Sequence, residues 1–138
     1  MREIVILDTG PLVAWLSARD AWHKWATEEF GRLEPPFVTC ESVLSEACFI
    51  YLREGGEPAR VLAKVRSGLI QPSFAVADEV GALEVLMRRY ADKPMSLADA
   101  CLVRLSELHK DCRVFTLDRH FKHYRRFGRS IIPLLSPW

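Results

Sequence analysis

Short apolar runs alternate with helical spacings along nearly the whole chain, and this alternation sets the expected architecture. Residues 3–7 (EIVIL) form a β-branched run that stops at Asp8-Thr9-Gly10-Pro11, the mark of a buried strand feeding a helix. Residues 12–33 carry helical spacing with a restart at Asp20, after which Trp22, Trp25, Ala26 and Phe30 share one face, so two tandem helices are predicted. Glu34-Pro35-Pro36 stops them, residues 37–39 are long enough only for a short strand, and Thr39 is placed to cap the next helix. That helix, over 41–53, presents a broad apolar face through Val43, Leu44, Ala47, Cys48, Ile50, Tyr51 and Leu52 and ends at Gly55-Gly56, with another helix at 57–66. Residues 69–74, which contain Pro72, read as an edge-like strand, and 76–90 as a helix closed by Lys93-Pro94. A helix over 97–109 leads to a strand at 114–117, bounded by Asp118. A short helix and a last strand at 130–135 complete the pattern. Strands this short and apolar, alternating with helices, predict an α/β fold whose parallel sheet is covered on both faces.

Composition narrows the class. The 138 residues are 49% apolar, which suits one domain spanning 1–138 with its own core. A net charge of +1 excludes a histone-like protein and an acidic disordered tail. No apolar run approaches the roughly 20 residues of a membrane helix, and Asp8 interrupts the first run before it resembles a signal core, so a cytoplasmic protein without membrane contact is expected. Cys40, Cys48, Cys101 and Cys112 lack metal-site spacing and are read as free thiols.

In open α/β sheets ligands bind beyond the carboxyl ends of the strands, which directs attention to the acids just after them. Asp8 follows the first strand and Asp118 the strand at 114–117, although either alone also suits a helix cap or a turn. Asp99 closes a Ser96-Leu97-Ala98-Asp99 capping box, which by itself accounts for an acid at that position. Glu46 lies mid-helix among Leu44, Ala47, Cys48 and Ile50, where partial burial is expected and a carboxylate then needs a partner or a cation. Glu41, five residues earlier, points elsewhere around the axis and is assigned to the helix start. Four carboxylates on one sheet edge repel one another unless a cation is present, and an all-oxygen set suits Mg²⁺ or Mn²⁺.

The stretches DTGPLVAWL (8–16), DAWHKWA (20–26), VTCESVLSEACFIYLR (38–53), SLADACLVRLSE (96–107) and FTLDRHF (115–121) resemble the PIN-domain ribonucleases. Within them, the likeness is to the toxin half of VapBC-type toxin-antitoxin pairs. The resemblance covers most of the chain and implies a PIN-like three-layer α/β/α sandwich around a central parallel sheet. It also implies that Asp8, Glu46, Asp99 and Asp118 form a catalytic, metal-binding quartet for Mg²⁺ or Mn²⁺, supported by Thr116. Some members carry a further acid where this chain has His120, which weakens any second metal site. RNA as substrate, an antitoxin protein as partner and a homodimer are implied in the same way.

Residues 113–129 carry six Lys and Arg against Asp118 alone, a local charge of +5 that leaves −4 for the rest. Arg119, Lys122, Arg125, Arg126 and Arg129, interleaved with Phe121, Tyr124 and Phe127, are therefore candidates for phosphate contact and base stacking, with a solvated face as the competing explanation. Trp15, Trp22, Trp25 and Phe30 offer either core or a groove for a partner. A catalytically silent module that captures RNA or a basic segment in its acidic pocket is the rival from another class. A phosphotransferase using Asp8 as nucleophile lacks the second Asp of its motif, where Gly10 stands.

Overall fold

Leu7 and Phe115 sit side by side at the carboxyl ends of two neighbouring parallel strands, and the register of that pair positions the acids at the sheet edge. The computed structural model describes residues 3–138. Its elements are β1 (Ile4–Leu7), α1 (Thr9–Leu16), α2 (His23–Arg32), β2 (Phe37–Val38), α3 (Glu41–Arg53), α4 (Ala59–Arg66), β3 (Ile70–Gln71), α5 (Val80–Arg89) and α6 (Leu97–Leu108). β4 (Cys112–Phe115), β5 (Arg125–Arg126), β6 (Ser130–Ile131) and β7 (Leu134–Leu135) come after them. A five-stranded sheet in the order β3-β2-β1-β4-β7 is parallel throughout, and helices flank it as a three-layer sandwich requires. β5 and β6 form a separate antiparallel hairpin.

The central strands are apolar because both faces are covered: Ile6, Leu7, Val114 and Phe115 are inaccessible to solvent. Between α1, α2 and the sheet lies an aromatic cluster in which Trp15 stacks on Phe30 at 3.9 Å and Trp25 meets Phe115 edge-on at 5.5 Å. Trp15, Trp25 and Phe30 thus belong to the core rather than to a partner groove, and Trp22 alone of the four stays exposed. Truncating Phe30 or Phe115 to Ala in such a setting costs about 3–5 kcal/mol.

Several boundaries differ from the sequence expectation for identifiable reasons. α1 starts at Thr9, because Asp8 caps it directly by accepting the Thr9 amide at 2.7 Å. Thr39 does not cap α3. Its hydroxyl donates to the Leu7 carbonyl at 2.7 Å and Cys40 takes the cap position without a side-chain bond. β4 begins two residues early, since Arg113 is tolerated there by its ion pair with Glu3 at 2.7 Å, and it ends before Thr116 turns toward Asp8. The strand expected over 69–74 shrinks to two residues next to Pro72, which has no N–H to give the ladder. The helix expected over 76–90 splits at Glu79, which leaves helical geometry and pairs with Arg104 at 2.6 Å; a 3₁₀ turn, Val76–Asp78, precedes it. The strand expected over 130–135 breaks at Pro133 into β6 and β7, which serve different sheets.

Candidate active site

With Leu7 paired to Phe115, the next residues of both strands emerge together, and Thr116 reaches Asp8: its hydroxyl donates to Asp8 Oδ2 at 2.6 Å. The same hydroxyl accepts the Asp118 amide at 2.9 Å, so one oxygen fixes Asp8 and begins the turn that carries Asp118. Gly10 permits this close packing of α1 on the turn, since a Cβ there would meet Leu117 Cβ at 3.1 Å. Asp99 enters from the first turn of α6. Its Oδ2 accepts the Ser96 amide at 3.4 Å while its own amide donates to Ser96 Oγ at 3.0 Å, a complete capping box. Oδ2 also accepts the Tyr124 hydroxyl at 3.0 Å.

Asp8, Asp99, Asp118 and Glu46 line one cleft of about 310 Å³. Asp20 and Glu54 line it as well, and no Lys, Arg or His among the described residues does. Sequence reasoning missed these two acids, although Glu46, Ile50 and Glu54 repeat at the four-residue spacing of one helix stripe. Glu46 is exposed on the α3 wall, contrary to the partial burial expected of it. Glu54 Oε1 is shielded from solvent and accepts no hydrogen bond among the described residues.

Burial pushes the Asp8 carboxyl up to about 7 against the pull of its two hydrogen bonds, and the charges of Asp99 and Asp118 push the same way. Burial likewise raises Asp99, opposed chiefly by the Tyr124 hydroxyl. The Tyr124 phenol is held above the usual range by its own burial and by Asp99 beside it. The sheet edge therefore carries carboxylates whose ionised forms are undercompensated by the protein.

Comparison with known families decides what kind of domain presents this cleft: the PIN domain model matches residues 5–126. The chain belongs to the PIN domain family. It is similar to Ribonuclease VapC26 of Mycobacterium tuberculosis, 26% identical over 127 residues that cover 90% of this chain and 94% of that one. Its fold is similar to that of the crystal structure of Mycobacterium tuberculosis VapC20, a Sarcin-Ricin loop cleaving toxin, with a TM-score of 0.72 and 21% identity over 83% of this chain and 89% of that one.

In this PIN domain the basic stretch is not one surface. Arg119, Lys122 and Arg129 are exposed. Arg126 turns inward, donating to the Ser106 carbonyl at 2.9 Å and the Lys110 carbonyl at 3.3 Å, which satisfies the end of α6. Arg125 donates to the Lys122 and Tyr124 carbonyls. Phe121 and Tyr124 are buried and not open to base stacking, which leaves Phe127 exposed beside Arg126. Arg119 lies over the Trp138 ring at 4.4 Å, and Trp138 meets Trp22, which lines the cleft.

Divalent-metal binding can be tested against the donors present. Among the described residues no three His, Cys, Asp or Glu side chains are gathered tightly enough to hold an ion as they stand. Their chemistry nevertheless fits a hard cation: the charged groups of the cleft are all carboxylates. Asp99 Oδ1 and Asp118 Oδ2 accept nothing from the described residues, because the bonds made to each carboxylate fall on its other oxygen. Repulsion among bare carboxylates favours the spread arrangement.

Proposed function

We propose that this PIN domain is a Mg²⁺- or Mn²⁺-dependent endoribonuclease of the VapC toxin type, hydrolysing RNA phosphodiester bonds. The observation that carries the reading is the convergence of Asp8, Glu46, Asp99 and Asp118 on one cleft without a cationic side chain among the described residues to neutralise them. When bound, a divalent cation supplies the Lewis acidity and charge neutralisation that in-line phosphodiester hydrolysis needs. The four carboxylates would hold it. Asp8 would contribute a carboxyl group fixed in position, because the Thr9 amide and the Thr116 hydroxyl hold its two oxygens. Asp99 is oriented by the Ser96 amide and the Tyr124 hydroxyl, and Asp118 by the His120 amide at 2.9 Å. Glu46 approaches from the exposed wall of α3 and so adapts its position to the others.

Attraction for the polyanionic substrate comes from outside the cleft, whose charge opposes it. Arg119, Lys122 and Arg129, with lesser help from Arg125, would contact backbone phosphates, and Arg126 chiefly braces α6. A cytoplasmic toxin, a cognate antitoxin partner and a homodimeric state belong to the same proposal, as the resemblance of the sequence motifs to VapBC-type toxins implies. No helix among the described residues is long and apolar enough to cross a membrane.

Incubating labelled single-stranded and structured RNAs with the protein tests the reading. Cleavage with Mg²⁺ or Mn²⁺, arrested by EDTA and lost in a folded Asp99→Asn variant, is expected. Cleavage indifferent to EDTA would overturn the mechanism, and tight RNA binding without cleavage would favour the silent binding module.

A further inference from the structure

Tyr124 sits in none of the sequence stretches that carry the family resemblance, yet its hydroxyl touches the carboxylate of Asp99. Its ring is fully buried, with the Tyr90 ring edge-on at 5.1 Å, the Phe121 ring edge-on at 5.3 Å and the His120 ring at 6.4 Å. The neighbouring backbone is pinned too, since the Arg125 amide donates to the Tyr90 hydroxyl at 2.9 Å. A phenol held this firmly cannot follow Asp99 if that carboxylate moves, so the hydroxyl fixes where Asp99 Oδ2 lies.

The position of Tyr124 along the chain matters equally. Asp118 opens the 3₁₀ turn Arg119–Lys122, and the Tyr124 amide closes back on the His120 carbonyl at 3.2 Å. The segment that presents Asp118 at one end therefore grips Asp99 at the other. Asp99 and Asp118 line the same cleft, where two like charges repel one another.

We infer that Tyr124 is a positioning residue for the acidic cleft: its hydroxyl occupies Asp99 Oδ2, leaves Oδ1 without a donor among the described residues, and ties the Asp118 segment to α6. Thr116 does the corresponding work for Asp8. This inference rests on the proposed metal-dependent reading of the cleft.

The test is Tyr124→Phe, which removes one oxygen and keeps the ring, alongside Phe121→Leu, which disturbs the same aromatic packing without touching Asp99. Mn²⁺ binding is measured by titration calorimetry and RNA cleavage as a function of Mn²⁺ concentration, with a thermal melt for each protein. Tyr124→Phe is expected to weaken Mn²⁺ binding by about 10-fold or more, as losing an orienting hydrogen bond to a metal ligand does. Its cleavage should recover at high Mn²⁺, with KM for RNA unchanged. Phe121→Leu is expected to lower the melting temperature and leave Mn²⁺ affinity within about twofold. Parental Mn²⁺ affinity in Tyr124→Phe, or an equal loss in both variants, overturns the positioning role while leaving the metal-dependent reading intact. A parent that binds no Mn²⁺ and cleaves RNA in EDTA removes that reading, and the positioning role with it.

Discussion

Asp8 and Glu46 face one cleft from different walls and are held in contrasting ways. Asp8 grows from the end of β1, is almost excluded from solvent, and has a donor on each oxygen. Glu46 grows from the middle of α3 and is exposed. The sheet edge provides the fixed part of the site because a strand end, a helix cap and a hydroxyl meet there. The helix wall provides a part that adjusts. An acid can be placed rigidly where backbone amides are left over, and only loosely on a helix surface where they are all used.

Substituting on the two walls should separate them most strongly in cleavage. Asp8→Asn is expected to reduce cleavage by about 10³-fold or more, on the order of 4 kcal/mol of lost transition-state stabilisation. Glu46→Gln is expected to lose only about 10- to 100-fold and to recover part of it at high Mn²⁺. Equal losses in single-turnover assays would erase the distinction.

Stability against pH, measured in EDTA by chemical denaturation, sharpens the same contrast. An Asp8 carboxyl raised to about 7 keeps its proton in the fold after the unfolded chain has released it near 3.8. The folded state then binds more protons across that window, so stability falls as pH rises from about 4 to 7, by an amount on the order of 4 kcal/mol for this group. The difference between parent and Asp8→Asn should show that slope. A flat Asp8 difference would mean that the buried carboxylate is fully compensated.

The smallest effects concern the basic segment. Arg126→Ala is expected to cost about 1–3 kcal/mol of stability, because it strands carbonyls at the end of α6, while the salt dependence of RNA binding stays as in the parent. Arg119→Ala should change stability by no more than about 1 kcal/mol and reduce the salt slope by about one. Denaturation and RNA binding at several salt concentrations distinguish the two, and reversed behaviour would return Arg126 to the RNA-facing surface.

The sheet and its acids are readable in the sequence because they obey local rules. Asp8 and Asp118 stand just after apolar strands, and Ser96 with Asp99 is a spacing that specifies its own geometry. Nothing local places Arg126 or Tyr124. Their partners, a carbonyl 20 residues back and a carboxylate 25 residues back, leave no trace in neighbouring positions, so composition alone suggests a continuous RNA-facing strip. Pro133 is a legible signal that divides the last strand, since it cannot donate to a ladder. The apolar neighbours of Glu46 suggest half-burial, but Leu44 and Ala47 turn inward and are buried while Glu46 shares the cleft wall with Ile50.

The segment after Asp118 clamps α6 near both ends, with Tyr124 on Asp99 in its first turn, Arg126 on Ser106 in its last, and the Phe127 amide on Glu107 at 2.8 Å. Two residues of extended chain span roughly 7 Å, whereas Asp99 to Ser106 is a rise of roughly 10 Å along the helix, so the long Tyr and Arg side chains make up the difference. Such a strap has almost no tolerance in chain length. One residue inserted between 118 and 126 would throw Tyr124 and Arg126 out of step with the helix together, whereas one inserted in the exposed turn at 91–93 would merely lengthen a loop. For this domain, the spacing from Asp118 to Arg126 is as much a part of the site as the acids themselves.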